Sequence, residues 1–118
     1  MGAKDELGRR GEELAAAFLA HGGYRIVARN WRCRQGEIDI VARRGDDLVF
    51  VEVKTRTSVS HGHPFEAITV RKLARLRRLA AAWCGANPGR YAGIRIDVVA
   101  VIAPRNAPVS IEHLEGVF

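Results

Sequence analysis

Alternation dominates the middle of the chain. In residues 48–54, Leu48, Phe50, Glu52 and Lys54 fall on one side of an extended strand, and Val49, Val51 and Val53 on the other. Residues 37–42 form a second run rich in β-branched side chains. Arg43, Arg44, Gly45, Asp46 and Asp47 between them supply turn chemistry, so the two runs predict a hairpin. Upstream, Leu7, Gly11, Leu14, Ala15, Phe18 and Leu19 recur at helical spacing and predict a helix over residues 5–21, stopped by His21-Gly22-Gly23. Residues 24–29 alternate as a strand, and residues 30–35 read as a basic connector. Residues 55–64 have no periodicity and are expected as a loop. A second helix over residues 64–83, starting near Phe65, would bury Leu73, Leu76, Ala80 and Trp83 and turn Arg71, Arg75 and Arg78 outward. A Gly/Asn/Pro loop at 85–93 leads to a strand at 94–102, and residues 109–114 make a short edge strand. In the longer of these strands Arg95 and Asp97 share a face, where a pair would brace the central strands.

The order α, β, β, β, α, β, β predicts an α/β sandwich, a mixed sheet flanked by helices. The second helix serves as the crossover to a parallel strand. At 118 residues and 13.0 kDa the chain is one domain with a real core. No apolar run approaches the roughly 20 residues of a membrane span, and the N-terminus lacks an export signal. A cytoplasmic, membrane-free protein is expected. Cys33 and Cys84 are too few for a structural zinc site and read as reduced thiols. The net charge of +6 points toward polyanions. Its clustering points there more strongly: Arg29, Arg32 and Arg34 flank Trp31, and residues 71–78 carry five cations.

The hairpin also carries ionisable groups that a plain sheet would not need. Asp39 stands between Ile38 and Ile40, and Glu52 and Lys54 alternate with valines. Pairing Asp39 opposite Glu52 leaves a compact loop at 44–47 and brings two carboxylates together with an ammonium beside them. That is a divalent-metal site with a lysine placed to steer or deprotonate a water. On the first helix Glu12 flanks the apolar face while Glu13 points away, although spacing alone favours two solvated glutamates. Gly8 and Gly11 lower helix propensity there, which suggests close approach by another backbone or a phosphate. Arg56, in phase with Lys54, is placed to hold a scissile phosphate. Trp31 either stacks on a base or covers the sheet edge. His61 and His63, without a third ligand, are expected as solvated loop residues.

An acidic residue on one strand followed by Glu-x-Lys on the next resembles the core of the restriction-endonuclease-like, or PD-(D/E)xK, nuclease superfamily. The chain is similar above all to its YraN-like branch. Gly8, Gly11 and Glu12, then Asn30, Trp31 and Arg32, then residues 36–40, 51–56 and Lys72 match that branch in series. An aromatic usual before Gly62 is replaced by His61. The resemblance implies a restriction-endonuclease-like fold and a metal-dependent endonuclease acting on DNA. Asp39 and Glu52, with the Val53 carbonyl, would hold Mg²⁺ or Mn²⁺, and Glu12 would join them directly or through water. Lys54 would position the attacking water, and Arg32, Arg56, Arg71, Lys72 and Arg75 would contact nucleic acid. A shared arrangement with archaeal Holliday-junction resolvases makes branched DNA a reasonable substrate and a homodimer a reasonable assembly. Two alternatives compete: a nucleic-acid-binding or scaffold protein with little turnover, and a purely structural ion network, which energetics disfavour.

Overall fold

The expected hairpin is the centre of the sheet. In the computed structural model, which describes residues 3–117, β2 (Gly36–Arg44) and β3 (Asp47–Arg56) pair antiparallel from Arg44 opposite Asp47 to Ile40 opposite Val51. Gly45, with φ of 60°, takes the first position of the two-residue turn, a conformation that costs glycine little. Ahead of the hairpin come α1 (Ala3–His21) and β1 (Arg25–Cys33). Behind it come a 3-10 turn (Pro64–Ala67), α2 (Val70–Ala86), β4 (Gly93–Ile102) and β5 (Ser110–Leu114). The strands lie side by side in chain order, and only β3 and β4 are parallel, joined by the α2 crossover. The result is a mixed five-stranded sheet flanked by two helices.

Each helix seals one face. Ala15, Ala16 and Leu19 of α1 pack on Ile40, Val49, Val51, Val99 and Val101. On the other face Leu76, Leu79 and Trp83 of α2 pack on Val41, Leu48, Phe50 and Ile96. The period-2 split of β3 is therefore real: its valines face α1, and Leu48 and Phe50 face α2. Among the described residues no helix is long and apolar enough to cross a membrane.

Two boundaries differ from the pattern. β1 does not end near residue 29 but runs to Cys33, and the supposed basic connector pairs with β2 through Trp31 opposite Ile38 and Arg32 opposite Glu37. Its polar residues hid the strand because β1 is an edge with one side open to water. A bulge between Ile26 and Ala28 moves these two residues, two apart in sequence, onto opposite faces of the sheet. The second helix is also later than expected. Residues 64–67 form a separate 3-10 turn, and α2 starts at Val70 because Thr69 caps it, its Oγ1 accepting from the Lys72 N–H at 3.2 Å.

The Arg95–Asp97 pair forms as expected, within a larger network. Asp97 is fully buried and accepts from Arg95 Nε at 2.8 Å, from Arg95 Nη2 at 3.0 Å and from the Gly116 N–H at 2.9 Å; His113 Nε2 lies 2.7 Å away. Arg95 also donates to the Tyr24 hydroxyl, which donates to Glu115. One buried carboxylate thus ties β4, β5 and the C-terminal segment together.

Candidate active site

The site lies where β2 and β3 part. Their ladder stops at Ile40 and Val51, one step before Asp39 and Glu52 would pair. Instead of continuing the backbone ladder, Val53 donates its N–H to Asp39 Oδ2 at 2.8 Å. β2 also rotates here, since Ile38 packs on the α2 side and Ile40 on the α1 side although they are two residues apart. The Asp39 carboxyl group therefore occupies the fork between the strands.

Glu52 stands beside it. Burial, and after it the Glu52 carboxylate, push the Asp39 carboxyl up to about 8 from an ordinary 3.8, against the opposing pull of the Val53 N–H. The Asp39–Glu52 pair thus retains a proton at neutral pH. Lys54 Nζ lies 3.8 Å from Glu52 Oε1, and both side chains are mostly buried. Alternation along β3 sets Glu52 and Lys54 side by side, whereas Asp39 joins them where β2 breaks its alternation.

Glu12 arrives from α1. Gly11 makes this possible, because a Cβ there would overlap the Thr55 side chain of β3, and without one the helix settles against the strand. Burial and the nearby Glu37 raise the Glu12 carboxyl, while Arg29 and a hydrogen bond from Asn30 oppose the rise. With its amide turned to donate, Asn30 reaches Glu12 Oε1 at 2.6 Å and Glu37 Oε1 at 3.0 Å. Asn30 holds this position with φ of 53°, a left-handed conformation that asparagine tolerates better than most residues. Sequence reasoning assigned no role to Asn30 or Glu37; the asparagine beside an aromatic in an otherwise strand-like run was the available signal.

Among the described residues no group of three or more His, Cys, Asp or Glu side chains is arranged to hold a metal ion by itself. What the fork offers is a pair of oxygen donors beside one ammonium, with the Asp39 proton held chiefly by burial and next by the Glu52 carboxylate. Such a pair suits a hard cation like Mg²⁺, which commonly takes one or two carboxylates and keeps several waters.

Residues 11–101, a stretch that spans Glu12, Asn30 and the whole hairpin, match the model of a family described as Uncharacterised protein family UPF0102. The chain belongs to that family. A UPF0102 protein of Arthrobacter sp. (strain FB24) is 61% identical over 117 residues, covering 99% of each chain. UPF0102 proteins of Beutenbergia cavernae and Paenarthrobacter aurescens are 54% and 57% identical over 117 residues, covering 99% of this chain and 99% and 97% of theirs.

Around the fork of this UPF0102 chain the expected nucleic-acid contacts divide. Arg32 is exposed, pairs with Glu37 at 3.4 Å and lines a cavity with Glu12 and Asn30. Arg56 lines a second cavity with Glu12 and Lys54. Arg71 and Arg75 are exposed and Lys72 half-buried on α2. That helix returns the chain from the end of β3, so its first turn lies at the same end of the sheet as the fork. Trp31 packs against the α2-side core, which is the covering role of the two open to it. His63 departs from expectation. It is not a solvated loop residue: its Nδ1 accepts from the Phe65 N–H and its Nε2 meets Glu112 at 2.8 Å, fastening the loop to β5.

Proposed function

We propose that this protein is a restriction-endonuclease-like, divalent-metal-dependent endonuclease that hydrolyses DNA phosphodiester bonds, branched repair or recombination intermediates included. The observation that carries the reading is the fork. Two carboxylates and a lysine, contributed by adjacent strands, meet where the backbone ladder opens, and a third carboxylate is delivered beside them by a helix glycine contact. A fold that needed only stability would gain little from this arrangement, because a mostly buried ion cluster is often no more stabilising than apolar side chains of the same volume.

Asp39 and Glu52 would hold Mg²⁺ or Mn²⁺ together with the Val53 carbonyl, and Glu12 would complete the shell directly or through water. The bound ion would polarise the phosphate and offset the charge of the leaving oxygen. The rest falls to the chain's own groups. The Val53 N–H fixes the Asp39 carboxyl in the fork. Asn30 orients Glu12. Lys54, anchored by Glu52, holds the attacking water in line with the phosphorus and compensates the charge that gathers on the phosphate oxygens. Arg56, at the open end of the same strand, engages the substrate phosphate.

Incubation with labelled branched, flapped and linear DNA in Mn²⁺ tests the reading directly. Cleavage by the wild type that Lys54→Ala and Asp39→Asn both reduce by at least about a hundredfold is the expected result. Cleavage that survives both substitutions refutes it. DNA binding with no cleavage under any divalent ion assigns the chain instead to a binding or scaffold role.

A further inference from the structure

Arg25 stands directly opposite Arg43 where β1 pairs with β2, and like charges in a cross-strand pair repel each other. Charge on an open edge discourages further strand pairing, which accounts for Arg25. It does not account for Arg43, which is half-buried on an inner strand. Neighbouring groups leave the pair unbalanced. Arg44, beside them in sequence, is engaged on the α1 side, over the Tyr24 ring and 4.0 Å from Glu115. Arg25 makes no ion pair with a described acidic residue. The Asp47 carboxylate is turned toward Gly93 of β4.

Both arginines line one cavity of about 400 Å³, with Gly23 and Gly45 completing its lining. No carboxylate lines it, those of Asp46 and Asp47 in the adjoining turn included. Arg43 Cζ lies 5.0 Å from the centre of the Tyr91 ring. Stacking of this kind occupies the face of the guanidinium and leaves its N–H edge free, while fixing the side chain before any ligand arrives. The cavity is away from the fork, since Arg43 lies beyond Asp39 along β2 by roughly 13 Å of strand rise. A carboxylate, with two oxygens, is satisfied by one guanidinium. Bridging two guanidiniums calls for a third acceptor oxygen, and their two charges are balanced by a dianion. A phosphate monoester has both. We propose that the Arg25–Arg43 pair is a binding site for a phosphate monoester, separate from the fork. A small free phosphate and the terminal phosphate of a nucleic-acid strand present this same group.

Nuclear magnetic resonance titration of the full ¹⁵N-labelled chain tests the proposal, at about pH 7, at constant ionic strength and without divalent ions. The probes are inorganic phosphate, 5′-phosphorylated dithymidine and the same dinucleotide without its terminal phosphate. Backbone amides of Gly23, Arg25, Arg43 and Gly45 should shift saturably with the first two, and at least about fivefold more weakly with the third. Equal midpoints for the first two assign a free phosphate as the ligand, and a tighter midpoint for the dinucleotide assigns a strand end. Arg25→Glu should abolish these shifts yet melt roughly 1–5 °C higher, because it turns a repelling cross-strand pair into an attracting one. Lost binding in a more stable protein separates a site from a damaged fold. Arg44→Ala removes a charge from the same turn but outside the cavity, and should bind phosphate as the wild type does. Shifts that do not saturate, that persist in Arg25→Glu, or that the unphosphorylated dinucleotide reproduces at equal strength overturn the proposal.

Discussion

Asp39 and Asp97 are both aspartates on strands of one sheet, and their surroundings drive them in opposite directions. Asp39 meets burial and another carboxylate with one backbone N–H in compensation, and is pushed up to about 8. Burial by itself would raise Asp97 too, but His113, Arg95 and the Gly116 N–H together hold it below its usual 3.8. The first is costly in its charged form and suits a cation; the second is a fully satisfied anchor. For Asp39 the folded state binds the proton more tightly than the unfolded chain. Its stabilising contribution is therefore complete below about pH 4 and is lost as pH rises toward about 8. The urea midpoint of the wild type, relative to Asp39→Asn, should fall across that window. The same proton competes with metal, so Mn²⁺ affinity measured by calorimetry should rise with pH up to about 8, with proton release. Asp97 behaves inversely. Its contribution is full at neutral pH and drains away only as pH falls below the ordinary carboxylate range. Asp97→Ala should cost about 3–5 kcal/mol in chemical denaturation, since it leaves the Arg95 guanidinium without its buried partner.

At the scale of elements, α1 is the piece that completes the site. It delivers Glu12 only because Gly11 lets it lie against Thr55. Gly11→Val should push the helix off β3, lower stability by roughly 1–3 kcal/mol through overpacking, and remove most cleavage. Thr55→Ala in the same chain should recover part of both losses, which melting and cleavage assays would show. β1 supplies Asn30 in the same manner. Asn30→Gly keeps the backbone conformation but loses the amide, so it should fold normally and cleave less well. Both β1 and the start of α2 were obscured in the sequence, and for related reasons. An edge strand needs few apolar residues, and a helix capped by Thr69 without an acidic first turn gives a weak start signal.

Over the whole molecule the net charge is +6, with five cations on α2 and the fork itself holding two carboxylates against one lysine. Weakening by added salt should therefore be steep for DNA binding. Arg56→Ala and Arg75→Ala should each flatten the slope of log affinity against log salt by just under one, about 0.9 per duplex phosphate contact. Helix order, the hairpin, the crossover and the side-by-side placing of Glu52 and Lys54 followed from the sequence, because period-2 and period-3.6 patterns dictate which side chains share a face. What tertiary structure alone decided was the fork at Asp39, the bulge that turns β1, the delivery of Glu12 through Gly11, and the union of Asp97 with His113, Tyr24 and Gly116. Each depends on contacts between residues distant along the chain, where local periodicity carries no information and only packing selects the partner.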